Sequence, residues 1–432
     1  MASRISAAAV AALANEPVDW RFKGLPVSWS GRTPAQICAE APNLFGAGPM
    51  GPVCVLRAEA LAHNLATMAD WCAERGVELA PHGKTHMSPQ LYAKQLDAGA
   101  SAVTAATISQ VRTYRAFGVR DVVLANELVD PAGLRWLAAE LNADPDFSVI
   151  CWVDSVRGVR IMAAELAAAE ARRPVDVCVE VGAPGGRTGC RDDSVTDEVA
   201  RAAAGCPQLR LIGVAGYEAA LGHDVSAAGL ARVAGYLATM RTAVLRLAGL
   251  FETDDIVVSA GGSTHFDLFA DALATGWPAG LSVRAIVRSG AYLTHDDGLY
   301  RRTSPFTRPG AEARTLQPAL QLWAQVCSRP EPRLALLTLG RRDVSFDQDL
   351  PVAQQILTEQ GWSAAGLIDS EVVKLNDQHA FLRLGAAADD RVGVGTWLQF
   401  GVSHPCTVFD KWQLIPVLDA DDRVVELIRT FF

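Results

Sequence analysis

The chain has no apolar run approaching the ~20 residues of a membrane span, no lysine- or arginine-rich block, no paired cysteine framework and no internal repeat. Each absence excludes a class of protein. Without a long apolar run no membrane-spanning helix is expected. With 39 basic against 48 acidic residues and a formal net charge of −9, nucleic acid and anionic membrane are not expected partners. Nine cysteines stand singly, at 38, 54, 72, 151, 178, 190, 206, 327 and 406. Most lie in apolar runs such as Val175-Asp176-Val177-Cys178-Val179, the pattern of reduced buried thiols rather than of a disulfide scaffold. A reducing cytoplasm is the expected compartment. The Ala-rich stretch Ile5 to Ala14 has only Arg4 before it and is short for a secretion signal, so it reads as a surface helix.

What is present supports a large core: 50% of the 432 residues are apolar and 20% are charged. Small-molecule chemistry becomes the default function. Between Arg57 and Arg288 helical and strand patterns alternate. Arg57 to Arg75 carries Leu61, Leu65, Met68 and Cys72 at helical spacing and stops at Gly76. Apolar, often β-branched runs follow at 77–80, 100–106, 121–126, 147–153, 175–181, 210–215, 256–260 and 283–288. Ala- and Leu-rich helix candidates separate them, for example Ser155 to Ala171 and Ala227 to Leu250. Continuous apolar runs are the mark of parallel strands buried on both faces, each needing a crossover helix to the next. Eight such units in about 230 residues predict an α/β fold, a (β/α)8 TIM-like barrel, with a doubly wound open sheet as the alternative.

After Ser289 no long helical periodicity returns. Short strand candidates at 320–327, 334–339, 372–375, 380–384, 391–394, 412–418 and 424–428 lie between Gly, Pro and Asp clusters and predict a C-terminal all-β domain. The predicted organisation is an N-terminal extension over 1–53 that partly joins the β domain, a barrel over 54–288, and the β domain over 289–432. Arg302 to Gly310 reads as the joining loop.

Active sites of such barrels gather where strands end. The first predicted strand is followed by Pro81-His82-Gly83-Lys84-Thr85-His86 and the fifth by Gly182-Ala183-Pro184-Gly185-Gly186-Arg187. The sixth is followed by Gly216-Tyr217-Glu218 and the seventh by Gly261-Gly262-Ser263-Thr264. The last loop, between a strand and a helix start, offers free amides to a phosphate. A lysine facing a phosphate loop across a barrel mouth, flanked by His82 and His86, points to Schiff-base chemistry with a phosphorylated aldehyde, pyridoxal 5′-phosphate. In the β domain, Ser403-His404-Pro405-Cys406 sets imidazole and thiol two residues apart, on one side of an extended strand. That pair favours a divalent metal, zinc first, and leaves positions open for water and substrate.

Together these residues resemble the D-serine dehydratase and D-threonine aldolase family, fold-type III pyridoxal phosphate enzymes whose barrel is related to that of alanine racemase. The likeness covers nearly all of the chain after about residue 50. It implies that Lys84 holds the cofactor, that Gly261, Gly262, Ser263 and Thr264 form the phosphate loop, and that Arg187 and Tyr217 lie beside the cofactor. It implies His404 and Cys406 as the metal pair, which is His-x-Cys in the dehydratase branch and His-x-Asp in the aldolase branch. Asn376-Asp377-Gln378-His379 stands where relatives carry Ser-Glu-Glu-His, and Arg288-Ser289-Gly290-Ala291-Tyr292 where they carry Arg-Pro-Gly-Thr-Tyr. The expected activity is α,β-elimination of water from a D-3-hydroxy amino acid by a homodimer. Lys84 is the first candidate base, with His86 and Tyr292 as further catalytic candidates. Retro-aldol cleavage to glycine and an aldehyde, a racemase, and a non-catalytic cofactor-binding protein are the alternatives.

Overall fold

The computed structural model describes residues 5–432 apart from 309, 312, 359–360, 365–366, 387 and 389–390. The expected surface helix at the N-terminus is present at Ala7–Ala12 and buries no residue; Arg4 lies outside the described residues. The first strand, β1 (Val53–Arg57), alternates its side chains between two cores. Cys54 and Leu56 join the main core, whereas Val53 and Val55 pack with Phe22, Trp29, Ile37 and Leu44 of the N-terminal segment.

All of the predicted barrel strands form: β2 (Glu78–Leu79), β3 (Val103–Ala105), β4 (Asp121–Glu127), β5 (Ser148–Val153), β6 (Val175–Val181), β7 (Leu209–Gly216), β8 (Asp255–Ala260) and β9 (Ser282–Val287). They make one parallel eight-stranded sheet in the order β2-β9-β8-β7-β6-β5-β4-β3. A parallel bridge between His82 and Thr104 closes it, with the Thr104 amide donating to Pro81 O (2.9 Å) and its hydroxyl to Ala80 O (2.6 Å). Val123, Trp152, Cys178, Ile212, Val257 and Ile286 fill the interior, so the barrel is a packed core with chemistry confined to its mouth. The outer helices begin where the sequence supplies caps: Ser88, Thr107, Asp130, Ser155, Asp192 and Ser226 each accept an amide of the first turn. Each such cap is worth about 1 kcal/mol. Among the described residues no helix is long and apolar enough to cross a membrane.

The second sheet contains β10 (Leu320–Glu331), β11 (Leu334–Leu337), β12 (Val352–Thr358), β13 (Gly361–Ser363), β14 (Glu371–Leu375), β15 (Ala380–Arg383), β16 (Trp397–Gly401), β17 (Leu414–Leu418) and β18 (Val424–Arg429). Its main path is β13-β12-β16-β10-β1-β17-β18, and β11, β15 and β14 extend from β10. Three differences from the sequence reading have physical causes. β1 pairs antiparallel with β10 and parallel with β17, so residues 54–57, expected in the barrel, belong to the second sheet, and the barrel portion starts with the helix Ala58–Arg75. The strand expected over 391–394 is a turn, because Gly395 adopts a left-handed backbone (φ 89°) and Thr396 N bonds back to Gly393 O (3.1 Å). The sequence pattern does not mark β12 and β16, because Gln354, Gln355 and Gln399 interrupt their apolar runs, nor β13, which is only 3 residues long. The expected joining loop, 302–310, of which 309 lies outside the described residues, contains the end of the short helix Leu299–Thr303 and a 3₁₀ turn at Pro305–Thr307.

Candidate active site

The mouth of the barrel and one loop of the β domain enclose a single cavity, lined by Lys84, Arg187, Tyr217, Gly262, Ser263, His404 and Cys406 of the expected residues. Lys84 stands in a 3₁₀ turn, Gly83–Thr85, beyond β2. Buried Tyr114 fixes that turn: its hydroxyl donates to Gly83 O (2.9 Å), and a Cβ on Gly83 would meet the Tyr114 hydroxyl at 2.5 Å and its ring at 2.6–2.7 Å. Among the described residues the Lys84 amine has no hydrogen bond or ion pair. Burial lowers its pKa; the nearby Cys406 thiol opposes the shift, while Arg187 and Arg288 reinforce it. A lysine made easier to deprotonate in this way is suited to a Schiff base.

Cys406 joins the two domains. Its thiol donates to Thr85 Oγ1 (3.5 Å), beside Lys84 in the barrel turn. Burial alone would raise this thiol, yet the His404 ring, Thr85 and Lys84 together hold it below its ordinary value. Burial lowers the His404 ring and is outweighed by Cys406 and Asp347, which push it up to about 9. The pair was expected on an extended strand, and the structure does not place it on one. His404 sits at φ 61° in the left-handed region, and Cys406 opens the short helix Cys406–Phe409. A turn, rather than strand alternation, brings the two side chains together.

The expected phosphate loop is partly engaged. The Gly261 and Gly262 amides both donate to buried Glu218, at 3.0 Å and 2.6 Å, and Thr264 Oγ1 is bonded to His223 Nδ1 (2.8 Å). Gly261 and Thr264 do not line the cavity. Among the described residues the amides of Ser263, Thr264, Gly290 and Ala291 have no acceptor, and Ser263 Oγ meets Ser289 Oγ at 2.9 Å across the two loops. These unpaired amides make a candidate anion cradle from two adjacent loops, one after β8 and one after β9.

Behind it lies Arg288, 5% exposed, whose Nη1 donates to Ser259 Oγ (2.7 Å) and Nη2 to Gly216 O (2.6 Å). Its Nε is buried without a partner among the described residues, as is His82 Nδ1. The Arg187 guanidinium lies 4.6 Å over the Tyr217 ring, on the open side. A planar, phosphorylated aldehyde fits this set: an amine, a candidate anion cradle of unpaired amides and an orphaned cationic donor converge on it. The adjacent nitrogen and sulfur donors of His404 and Cys406 fit a borderline metal such as zinc.

The other expected catalytic residues are placed elsewhere. His86 and Tyr292 do not line the cavity; both are buried and bridged by Gln95, with His86 Nε2 at 3.2 Å from Gln95 Oε1 and Gln95 Nε2 at 3.1 Å from Tyr292 Oη. His86 Nδ1 accepts the Ser88 amide (3.0 Å), and burial pushes the ring down to about 4. Their side chains serve the packing of the barrel wall and do not reach the cavity. His379 is exposed in the β14–β15 turn, outside the cavity. Sequence reasoning missed Tyr300, whose ring lines the cavity and whose hydroxyl has no partner among the described residues. It also missed the cluster of Glu127, Asp154 and Glu180 at the ends of neighbouring strands, whose carboxyl oxygens lie within 4.8 Å of one another. Burial, with Glu180 and Asp154 alongside, pushes Glu127 up to about 8, so the cluster retains a proton at neutral pH.

A closed parallel barrel, a flanking β domain and a lysine opposed to an anion cradle define an alanine racemase-like fold of the fold-type III pyridoxal phosphate enzymes. Residues 56–294, more than half of the chain, match the alanine racemase N-terminal domain, and residues 319–418 match a putative serine dehydratase domain. The chain belongs to the alanine racemase N-terminal domain family, with the serine dehydratase type of second domain. It is 27% identical over 380 residues to a D-threonine aldolase from Arthrobacter sp., covering 87% of this chain and 90% of that protein. A D-threonine aldolase structure from Filomicrobium marinum superposes with a TM-score of 0.74 at 22% identity, covering 96% and 98% of the two chains. A D-threo-3-hydroxyaspartate dehydratase from Delftia sp. HT23 superposes with a TM-score of 0.68 at 24% identity, covering 88% and 97%. In sequence that dehydratase is 30% identical over 142 residues, 33% of this chain and 36% of its own length.

Proposed function

We propose that the chain is a pyridoxal phosphate- and metal-dependent lyase of D-3-hydroxy amino acids that eliminates water across Cα–Cβ, yielding a 2-oxo acid and ammonia. One observation carries the reading: Lys84 and the His404/Cys406 pair open into one cavity, tied by the Cys406–Thr85 contact. The names of the relatives support a D-3-hydroxy amino acid as substrate class, and cysteine at 406 supports elimination.

Lys84 would hold the aldehyde, with Ser263, Gly290 and Ala291 donating to its phosphate and Arg288 donating to the ring. When bound, the cofactor would supply an electron sink for charge at Cα, and a metal on His404 and Cys406 would supply a Lewis acid for the β-oxygen. The Lys84 amine, when free of the aldehyde, would be the group placed to take the α-proton. The enamine left after loss of the α-proton and the β-hydroxyl tautomerises and is hydrolysed. Zinc as the metal, a homodimer as the assembly and the cytoplasm as the compartment belong to the same reading; the nine cysteines are all free thiols, in keeping with a reducing compartment.

The D-threonine aldolase from Arthrobacter sp. favours a second reading, in which the same parts deprotonate the β-hydroxyl and the Cα–Cβ bond breaks. Incubating the loaded enzyme with D-threo-3-hydroxyaspartate, D-serine and D-threonine, and measuring ammonia, 2-oxo acid and glycine, separates the two. Ammonia with 2-oxo acid is expected; glycine with aldehyde and no ammonia would overturn elimination in favour of the aldolase reading.

A further inference from the structure

We propose that Asp347 is a positioning residue that selects the metal-binding nitrogen of His404. The inference rests on the reading of His404 and Cys406 as the metal pair. Asp347 arrives from the loop between β11 and β12, and both of its oxygens are committed to the segment that bears His404. Oδ2 stands 2.5 Å from His404 Nδ1, and Oδ1 accepts the Thr407 hydroxyl at 2.8 Å. The carboxylate plane is therefore held from both sides. A ring that ligates a metal gives up one of its two protons, and a carboxylate accepts but cannot donate, so the proton kept is the one on Nδ1 and the lone pair offered is on Nε2.

The backbone beneath the ring is held separately. His404 has a left-handed backbone at φ 61°, unusual for a residue with a side chain, and its amide donates to Asp296 Oδ2 at 2.9 Å. The other oxygen of buried Asp296 accepts the Gly298 (3.0 Å) and Tyr300 (2.8 Å) amides, which ties this corner to the cavity loop. Asp296 thus fixes where the Cα stands and Asp347 fixes which ring nitrogen faces the ion. A histidine oriented before the metal arrives loses little freedom on binding, and removing such a carboxylate typically weakens metal affinity by about 10–100-fold.

The test is zinc affinity, read by competition with a chromophoric chelator on the cofactor-loaded, metal-stripped chain. Asp347→Ala is expected to weaken zinc about 10–100-fold and Asp347→Asn by less, with the visible absorption of the Lys84-bound cofactor and the melting temperature unchanged. Wild-type zinc affinity in Asp347→Ala would overturn the inference, and so would a joint loss of the cofactor band and of the fold. His404→Ala separates the two levels of the argument. If it loses zinc while Asp347→Ala does not, only the role of Asp347 falls. If it binds zinc as wild type does, the metal pair itself falls and the inference with it.

Discussion

Replacing Gly290 by alanine should force apart the Lys84 turn and the second loop of the anion cradle. Gly290 has φ −119° and ψ −39°, with φ on the negative side that other residues share, so the effect is steric rather than conformational. A Cβ there would stand 2.6 Å from Thr85 Oγ1, 2.8 Å from His82 Cβ and 2.8 Å from His82 O. Ordinary contacts lie near 3.5 Å, so the loops must part by about 0.7–0.9 Å. Rotation of the Thr85 hydroxyl relieves the first clash. The His82 carbonyl cannot move as easily, because it already accepts the Thr85 amide at 3.1 Å. Overpacking of this kind destabilises by roughly 1–3 kcal/mol, a few degrees of melting temperature in a chain of this size. Displacing Lys84 by nearly 1 Å relative to the cradle lowers turnover by up to about 100-fold. The assays are thermal unfolding by circular dichroism and titration of the visible cofactor band. Gly235→Ala is the control: the glycine is exposed in the helix Ala227–Leu247 with nothing within 4 Å of its Cβ position, and the substitution should stabilise by up to about 1 kcal/mol. A Gly290→Ala variant that melts at the wild-type temperature and binds cofactor as tightly would refute the steric reasoning.

Two further predictions concern residues that the sequence did not reveal. The folded state holds the Glu127 proton up to about pH 8, against an ordinary value of 4.5. Its contribution is therefore complete below about pH 4.5 and is lost as pH rises towards 8, so the melting temperature of Glu127→Gln should gain on that of the wild type across that window. A constant difference across the window would show that the cluster holds no such proton. Tyr300→Phe removes only the unpartnered hydroxyl in the cavity and should lower kcat/KM about tenfold, the worth of one hydrogen bond, with the cofactor band intact. Unchanged kinetics would place the hydroxyl outside the reaction.

The barrel was legible because its strands, buried on both faces, read as unbroken apolar runs such as Val175–Val181. Lys84, Arg187, Tyr217 and Ser263 were found by one rule, that chemistry follows the end of a strand. Applied to β9, the same rule reaches Arg288, Ser289, Gly290 and Ala291, which complete the cradle. Other residues obey no local rule. His86 is two positions from Lys84, yet the 3₁₀ turn sends its side chain to Gln95, so proximity in sequence misplaced it. Tyr300 enters the cavity because Asp296 folds its own loop back, and Asp347 meets His404 across a long insertion of the β domain. Such contacts are set by tertiary closure and leave no spacing to count.

Every step of the proposed chemistry depends on Lys84 carrying the cofactor. The chain has five lysines, at 23, 84, 94, 374 and 411. Lys23, Lys94 and Lys411 are in ion pairs with Asp343, Glu426 and Asp410, and Lys374 lies 4.9 Å from the Phe381 ring, which leaves Lys84 facing the cavity. Borohydride reduction of the pyridoxal phosphate-loaded chain, followed by peptide mass mapping, reads the attachment directly. The cofactor mass is expected on the peptide containing Lys84 and on no other. An unmodified Lys84 peptide, with the adduct absent or on another lysine, would contradict it.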